Sequence, residues 1–122
     1  MLYSSLQVGE KEYKLRLTAK NAIALEKSLG RHPLAVIMEL SEEALPSTED
    51  MCKILHASLQ TYHHDISLDD TYDIYDNMIA DGKSFADVIL ILVQIFNTAG
   101  FIPEETEIEA PAEEDSEETK NA

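Results

Sequence analysis

The sequence predicts a mainly α-helical fold: a compact bundle of about five helices with a small N-terminal β-hairpin, followed by a disordered acidic C-terminal tail. Three observations carry this. Apolar residues recur at spacings of three and four over most of the chain, alternation with a period of two is confined to the first 17 residues, and apolar patterning gives way to carboxylates at Pro103. A chain of 122 residues holds one hydrophobic core, expected in residues 1–102, with residues 103–122 as the tail.

Tyr13-Lys14-Leu15-Arg16-Leu17 alternates apolar and basic, and Gly9-Glu10-Lys11-Glu12 supplies a turn behind Leu6 and Val8. A lone hairpin is marginal in water, so the face carrying Tyr13, Leu15 and Leu17 is expected to lie on helices. Thr18 suits the N-cap of a helix reaching about Leu29, with Ala22, Leu25 and Leu29 on one side and Gly30 just past its end. Gly30-Arg31-His32-Pro33 then breaks the chain. Pro33 opens a short helix over residues 33–40 that brings Leu34, Ile37 and Met38 into the same core. Residues 41–47, with Pro46, read as a loop.

Ser47 or Thr48 begins a longer helix running to about Tyr62, with Glu49 and Asp50 in its first turn, where the helix dipole favours negative charge. Its apolar stripe is Met51, Leu55, Leu59 and Tyr62, flanked by Cys52 and Ile54. Ser67 and Asp70 form a capping box, with Asp in place of the usual Glu, for a helix that presents Leu68, Tyr72, Tyr75 and Ile79 and stops near Gly82. The last element, residues 84–99, contains Val88-Ile89-Leu90-Ile91-Leu92-Val93, which suits a buried strand or a buried helix. The Ser84 and Asp87 cap signals, the length of about four turns and Gly100 at the far end favour helix. A helix apolar almost all round must be covered, either by the centre of its own domain or by another chain.

The formal charge is −15. Residues 103–122 hold nine acids and one base, and residues 1–102 hold fifteen acids and eight bases. No Lys/Arg cluster is placed to displace counterions from phosphates or to meet an anionic bilayer, so neither nucleic acid nor membrane is an expected partner. No apolar run approaches the ~20 residues of a membrane span. The first residues lack a basic region followed by a long apolar one, so no signal peptide is expected. The single cysteine, Cys52, excludes an internal disulfide, and the cytoplasm is the expected compartment.

Catalytic and metal signals are weak. Asp65, Ser67, Asp69, Asp73 and Asp76 fall at positions 1, 3, 5, 9 and 12 of a calcium loop, but Asp70 occupies the position that needs Gly, and Asp76 stands where Glu is usual. The same segment reads as a capped helix with a solvated acidic face. Cys52 and His56, four apart, with His63, His64 and Asp65 beyond, sketch a zinc site or a Cys-His nucleophile without ligand spacing to support either. Cys52 beside an apolar stripe reads as a small core residue. The four glycines, at 9, 30, 82 and 100, build no phosphate loop, and no Ser sits in a nucleophile elbow. No enzyme activity, cofactor or metal is expected.

Two features favour binding. One is the last helix, whose excess apolar circumference reads either as the core or as a partner surface made of Val88, Ile89, Leu92, Ile95 and Phe96. The other is the tail, which serves solvation or a specific interaction.

The hairpin followed by Tyr13-Lys14-Leu15-Arg16-Leu17-Thr18, then Leu25-Glu26-Lys27-Ser28-Leu29-Gly30-Arg31-His32-Pro33-Leu34, resembles the tail assembly chaperones of long-tailed phages and prophages of Gram-positive hosts. Ile54-Leu55-His56-Ala57-Ser58-Leu59-Gln60 and Leu68-Asp69-Asp70-Thr71-Tyr72 continue the match, which covers about residues 1–102. Order and spacing carry it; no single motif does. The resemblance implies a non-catalytic protein of the host bacterial cytoplasm that binds the aggregation-prone tape measure protein. It also implies help for tail tube protein polymerising around that client, and absence from the mature virion. Many members have a longer form made by a ribosomal frameshift near the end of the first reading frame. An amphipathic client helix is then expected at Leu92 and Phe96, where self-association is the other use of that surface. Two other functions stay open: an acidic DNA mimic or adaptor occupying a nucleic-acid-binding protein, and a structural tail subunit.

Overall fold

The computed structural model describes residues 2–102, so the acidic tail expected over residues 103–122 lies outside the described residues. Among these, two strands and five helices follow in order: β1 (Ser4–Val8), β2 (Lys11–Leu15), α1 (Ala19–Leu29), α2 (Ala35–Met38), α3 (Thr48–Leu59), α4 (Leu68–Ala80) and α5 (Phe85–Thr98). The chain is mainly helical with an N-terminal antiparallel hairpin, as its patterning predicts.

Val8 pairs with Lys11, which leaves Gly9 and Glu10 as a two-residue loop. Gly9 takes φ 61°, the left-handed region such loops favour at this position. The turn is therefore tighter than the four residues read from sequence, and Lys11 and Glu12 belong to the strand. Ser4, Leu6, Val8 and Leu15 face inward, whereas Ser5, Gln7 and Glu12 face water. The outer edge of β2 is closed by the end of α3 and the loop after it: Arg16 N–H donates to Ser58 O at 2.8 Å, and Lys14 N–H donates to His63 Nε2 at 3.0 Å.

The caps form where the sequence places them. Thr18 Oγ1, Ser47 Oγ, Ser67 Oγ and Ser84 Oγ each accept from the backbone N–H three residues on, at 3.0–3.3 Å. The last two complete capping boxes, with Ser67 N–H donating to Asp70 Oδ2 at 3.0 Å and Ser84 N–H to Asp87 Oδ2 at 2.9 Å. These backbone bonds, then the serine hydroxyls, hold both carboxyls below their ordinary pKa. Gly30 ends α1 at φ 77°, with its N–H donating to Glu26 O.

Three elements differ from expectation. α2 covers four residues and not residues 33–40: Leu34 N–H donates to His32 Nδ1, making a turn before the helix, and Met38 projects into water at 74% exposure. Leu34 and Ile37 do pack on the core. α3 stops at Leu59, and Tyr62 leaves the stripe for the following loop, where its ring meets Tyr3 edge-on at 5.6 Å. α4 is turned by about one residue, roughly 100°. It buries Thr71, Ile74 and Met78, while Tyr72 and Ile79 face solvent. Thr71 is accommodated because its Oγ1 donates to Ser67 O at 2.9 Å, which satisfies the hydroxyl.

α3 is the centre of the bundle, packed against α1, α4, α5 and β2, with Met51, Ile54, Leu55 and Leu59 buried. α5 is a helix and not a strand; it lies against α3 and β1. After it the chain folds back, so that Phe101 stacks on Phe96 at 5.7 Å and lies 5.0 Å from the His32 ring. No described helix is long and apolar enough to cross a membrane.

Candidate functional site

The partner-binding residues that the sequence singles out do not form an accessible face. Val88, Leu92, Ile95 and Phe96 are fully buried, and Ile89 is half-buried. Positions 88, 92, 95 and 96 share one side of α5, and that side is turned into the core. The surplus hydrophobicity of this helix is therefore taken up by its own domain. What α5 shows to water is the opposite side, with Leu90 at 60% exposure and Phe85, Ala86 and Gln94 also exposed.

The titratable groups are engaged structurally. Burial, and secondarily the charge of Asp76, pushes the Cys52 thiol up to about 11, so it is almost entirely un-ionised at neutral pH. His56 is half-buried, and desolvation holds its pKa below the ordinary value. His63 accepts the Lys14 N–H and meets Tyr13 edge-on at 5.5 Å, tying the loop after α3 to the hairpin. Among the described residues no three His, Cys, Asp or Glu side chains converge in a way that would hold a metal ion. The calcium-like run is divided: Ser67 and Asp70 cap α4, and Asp69, Asp73 and Asp76 are exposed along it.

The structure opens a different surface, between α1 and α3. These helices run antiparallel, because Asn21 Nδ2 donates to Thr61 Oγ1 at 3.3 Å at one end and Lys53 Nζ donates to Ser28 O at 3.3 Å at the other. A groove of about 260 Å³ lies along them. Asn21, Ala24, Leu25 and Ser28 line it from α1; Lys53, His56, Ala57 and Gln60 line it from α3; Leu68 at the head of α4 completes it. Both sets recur at three and four residues, as on facing helix surfaces. The gap exists because Ala24 and Ser28 oppose Ala57, where larger side chains would interdigitate and close it. Gln60 is held in place by Nε2 donating to His56 O at 2.9 Å and to Ile66 O at 3.0 Å.

This volume falls below the roughly 300–1,000 Å³ of small-molecule sites, so the groove suits one or two inserted side chains. Its outer flank on α1 carries exposed Lys20, Lys27 and Ile23, the last at 54% exposure. Hydrophobic periodicity does not mark the groove, since its residues are small or polar; the signal available is Ala24 and Ser28 four apart, opposite an alanine. A second, flatter opening of about 410 Å³ lies at the hairpin tip, lined by Val8, Gly9, Tyr13 and Ala80 among others, and crossed by a 3.1 Å bond from Gly9 N–H to Asp81 Oδ2.

Neither a protein-family model nor a curated protein nor a solved structure matches this chain.

Proposed function

We propose that this chain is a non-catalytic tail assembly chaperone of a long-tailed phage or prophage. It binds the tape measure protein in the host bacterial cytoplasm, assists tail tube protein in polymerising around it, and is left out of the mature virion. The observation that carries this is the ordered resemblance over residues 13–18, 25–34, 54–60 and 68–72. Those segments include the junctions of the fold: the Thr18 cap, the Gly30 end of α1, the middle of α3 and the first turn of α4. A small helical body with Ile23, Met38 and Leu45 exposed also suits the shielding of an aggregation-prone helix. The net charge of −15 keeps such a complex soluble.

The test is co-expression with the tape measure protein of the same genome. The soluble fraction of that client should rise several-fold over the client expressed alone, and an unchanged pellet would end this proposal. A DNA mimic is the competing function, and the exposed row of Asp69, Asp73 and Asp76 along α4 favours it. A mimic loses its partner steeply as salt rises, whereas an apolar chaperone contact survives. A structural subunit would be found in purified particles.

A further inference from the structure

We propose that the α1–α3 groove is the client-docking site and that it selects amphipathic helices with an acidic flank, a proposal that rests on the chaperone function above. Charge is distributed unevenly over the described chain. Residues 2–30, which hold the hairpin and α1, contain five bases and three acids; residues 31–102 contain three bases, of which Arg31 is paired with Glu39, and twelve acids. A strongly acidic molecule thus has one net-positive region, and α1 is the helix within it.

On α1, residues 20, 24, 27 and 28 share a side, so Lys20 and Lys27 flank the groove-lining Ala24 and Ser28. The one acid of this helix, Glu26, is two residues from Ala24 and points the other way. Lys53, one of the three bases in residues 31–102, stands on the α3 wall, with its Nζ 3.5 Å from Glu49 Oε2. Asp69, next to Leu68, is the acid at the α4 side. Leu25, Ala57 and Leu68 supply the apolar lining, and Ile23 extends it past the two lysines.

A helix laid along this groove inserts a large apolar side chain between Ala24 and Ala57 while its carboxylates meet Lys20, Lys27 and Lys53. The seven-residue span on each wall is about 10 Å, which is two helical turns and fits anchors at i, i+4 and i+7. At physiological salt the screening length is about 8 Å, so Lys20 and Lys27 set the field along the α1 flank, while Glu49 offsets Lys53 on the α3 wall and Asp69 stands at the α4 end.

Two synthetic amphipathic helices with one apolar face, flanked by Glu in the first and Lys in the second, should be titrated against the full chain at about 0.15 M salt. The acidic helix is expected to bind at least about tenfold tighter. Ala24→Trp, at an exposed position, should weaken it about tenfold or more by filling the groove, and Lys20→Glu with Lys27→Glu should erase the preference. Leu90→Asp on α5 should leave binding unchanged, and circular dichroism checks that each variant is folded. Equal binding of the two helices, preference for the Lys-flanked one, binding of neither, or unchanged binding to Ala24→Trp overturns the proposal. So does binding that appears only after residues 103–122 are removed, which would make the chain's own acidic segment the occupant. If Ala24→Trp still solubilises tape measure protein, the groove assignment falls and the chaperone function stands. If the wild-type chain fails to solubilise it, the chaperone function falls, and the peptide titration still decides the groove.

Discussion

α5 has fourteen residues behind a complete capping box, and α1 has eleven behind a single threonine cap. α5 sinks Val88, Leu92, Ile95 and Phe96 out of reach of water, while α1 buries only Ala22 and Leu25 and leaves Lys20, Ile23, Ala24 and Lys27 exposed. Hydrophobicity measures how much of a helix must be covered, and in about 100 residues the domain itself supplies the cover. A surface that a partner can enter arises instead where side chains are too small to fill the space between two helices, as at Ala24, Ser28 and Ala57.

The hardest way to break this contrast is to truncate the buried side of α5. Phe96→Ala is expected to lower the unfolding free energy by about 3–5 kcal/mol and Leu92→Ala by about 2–5 kcal/mol, read from urea denaturation. Ala24→Trp on α1 should stay within about 0.5 kcal/mol. An unchanged urea midpoint for Phe96→Ala would remove α5 from the core.

A chemical probe sharpens the same point at α3, which lies between the two helices. With its thiol pushed up to about 11 from 9.0, about one Cys52 in a thousand is ionised near pH 8, against about one in ten for an ordinary thiol. Iodoacetamide should therefore alkylate the native chain about a hundredfold more slowly than the chain in concentrated urea. Equal rates would mean that the inner face of α3 is open.

The smallest effects lie at the caps. Ser84→Ala at the head of α5 should cost about 1 kcal/mol, and Thr18→Ala at the head of α1 no more than that. Asp70 and Asp87 titrate below 3.8 in the folded chain, so the unfolded chain takes up protons first as acid is added. Their contribution is complete above pH 3.8 and is lost as pH falls through the lower folded value. Asp70→Asn and Asp87→Asn should flatten the acid limb of the stability curve in that range; an unchanged slope would show that the boxes do not hold in solution.

These caps were legible from the chain alone, as were the hairpin, the helical state of α5 and the stop at Gly30. Each involves residues within a few positions of one another, so local chemistry decides it. The lengths of α2 and α3 were less legible: His32 and Tyr62 find partners in the turn before α2 and in the chain near the N-terminus, and those contacts end or delay a helix that propensity would extend.

The sequence by itself determined which segments are helices and strands, where the four capped helices α1, α3, α4 and α5 start, and that one of them must be buried. The tertiary structure alone decided that α4 turns Thr71, Ile74 and Met78 inward in place of Tyr72 and Ile79, that α5 is covered by its own domain, and that a groove opens between Ala24 and Ala57. The physical reason is range. A cap is a bond between residues three apart, whereas a buried face and a gap between helices depend on the shapes of side chains from different helices, 33 residues apart at Ala24 and Ala57, which meet only once the bundle has closed.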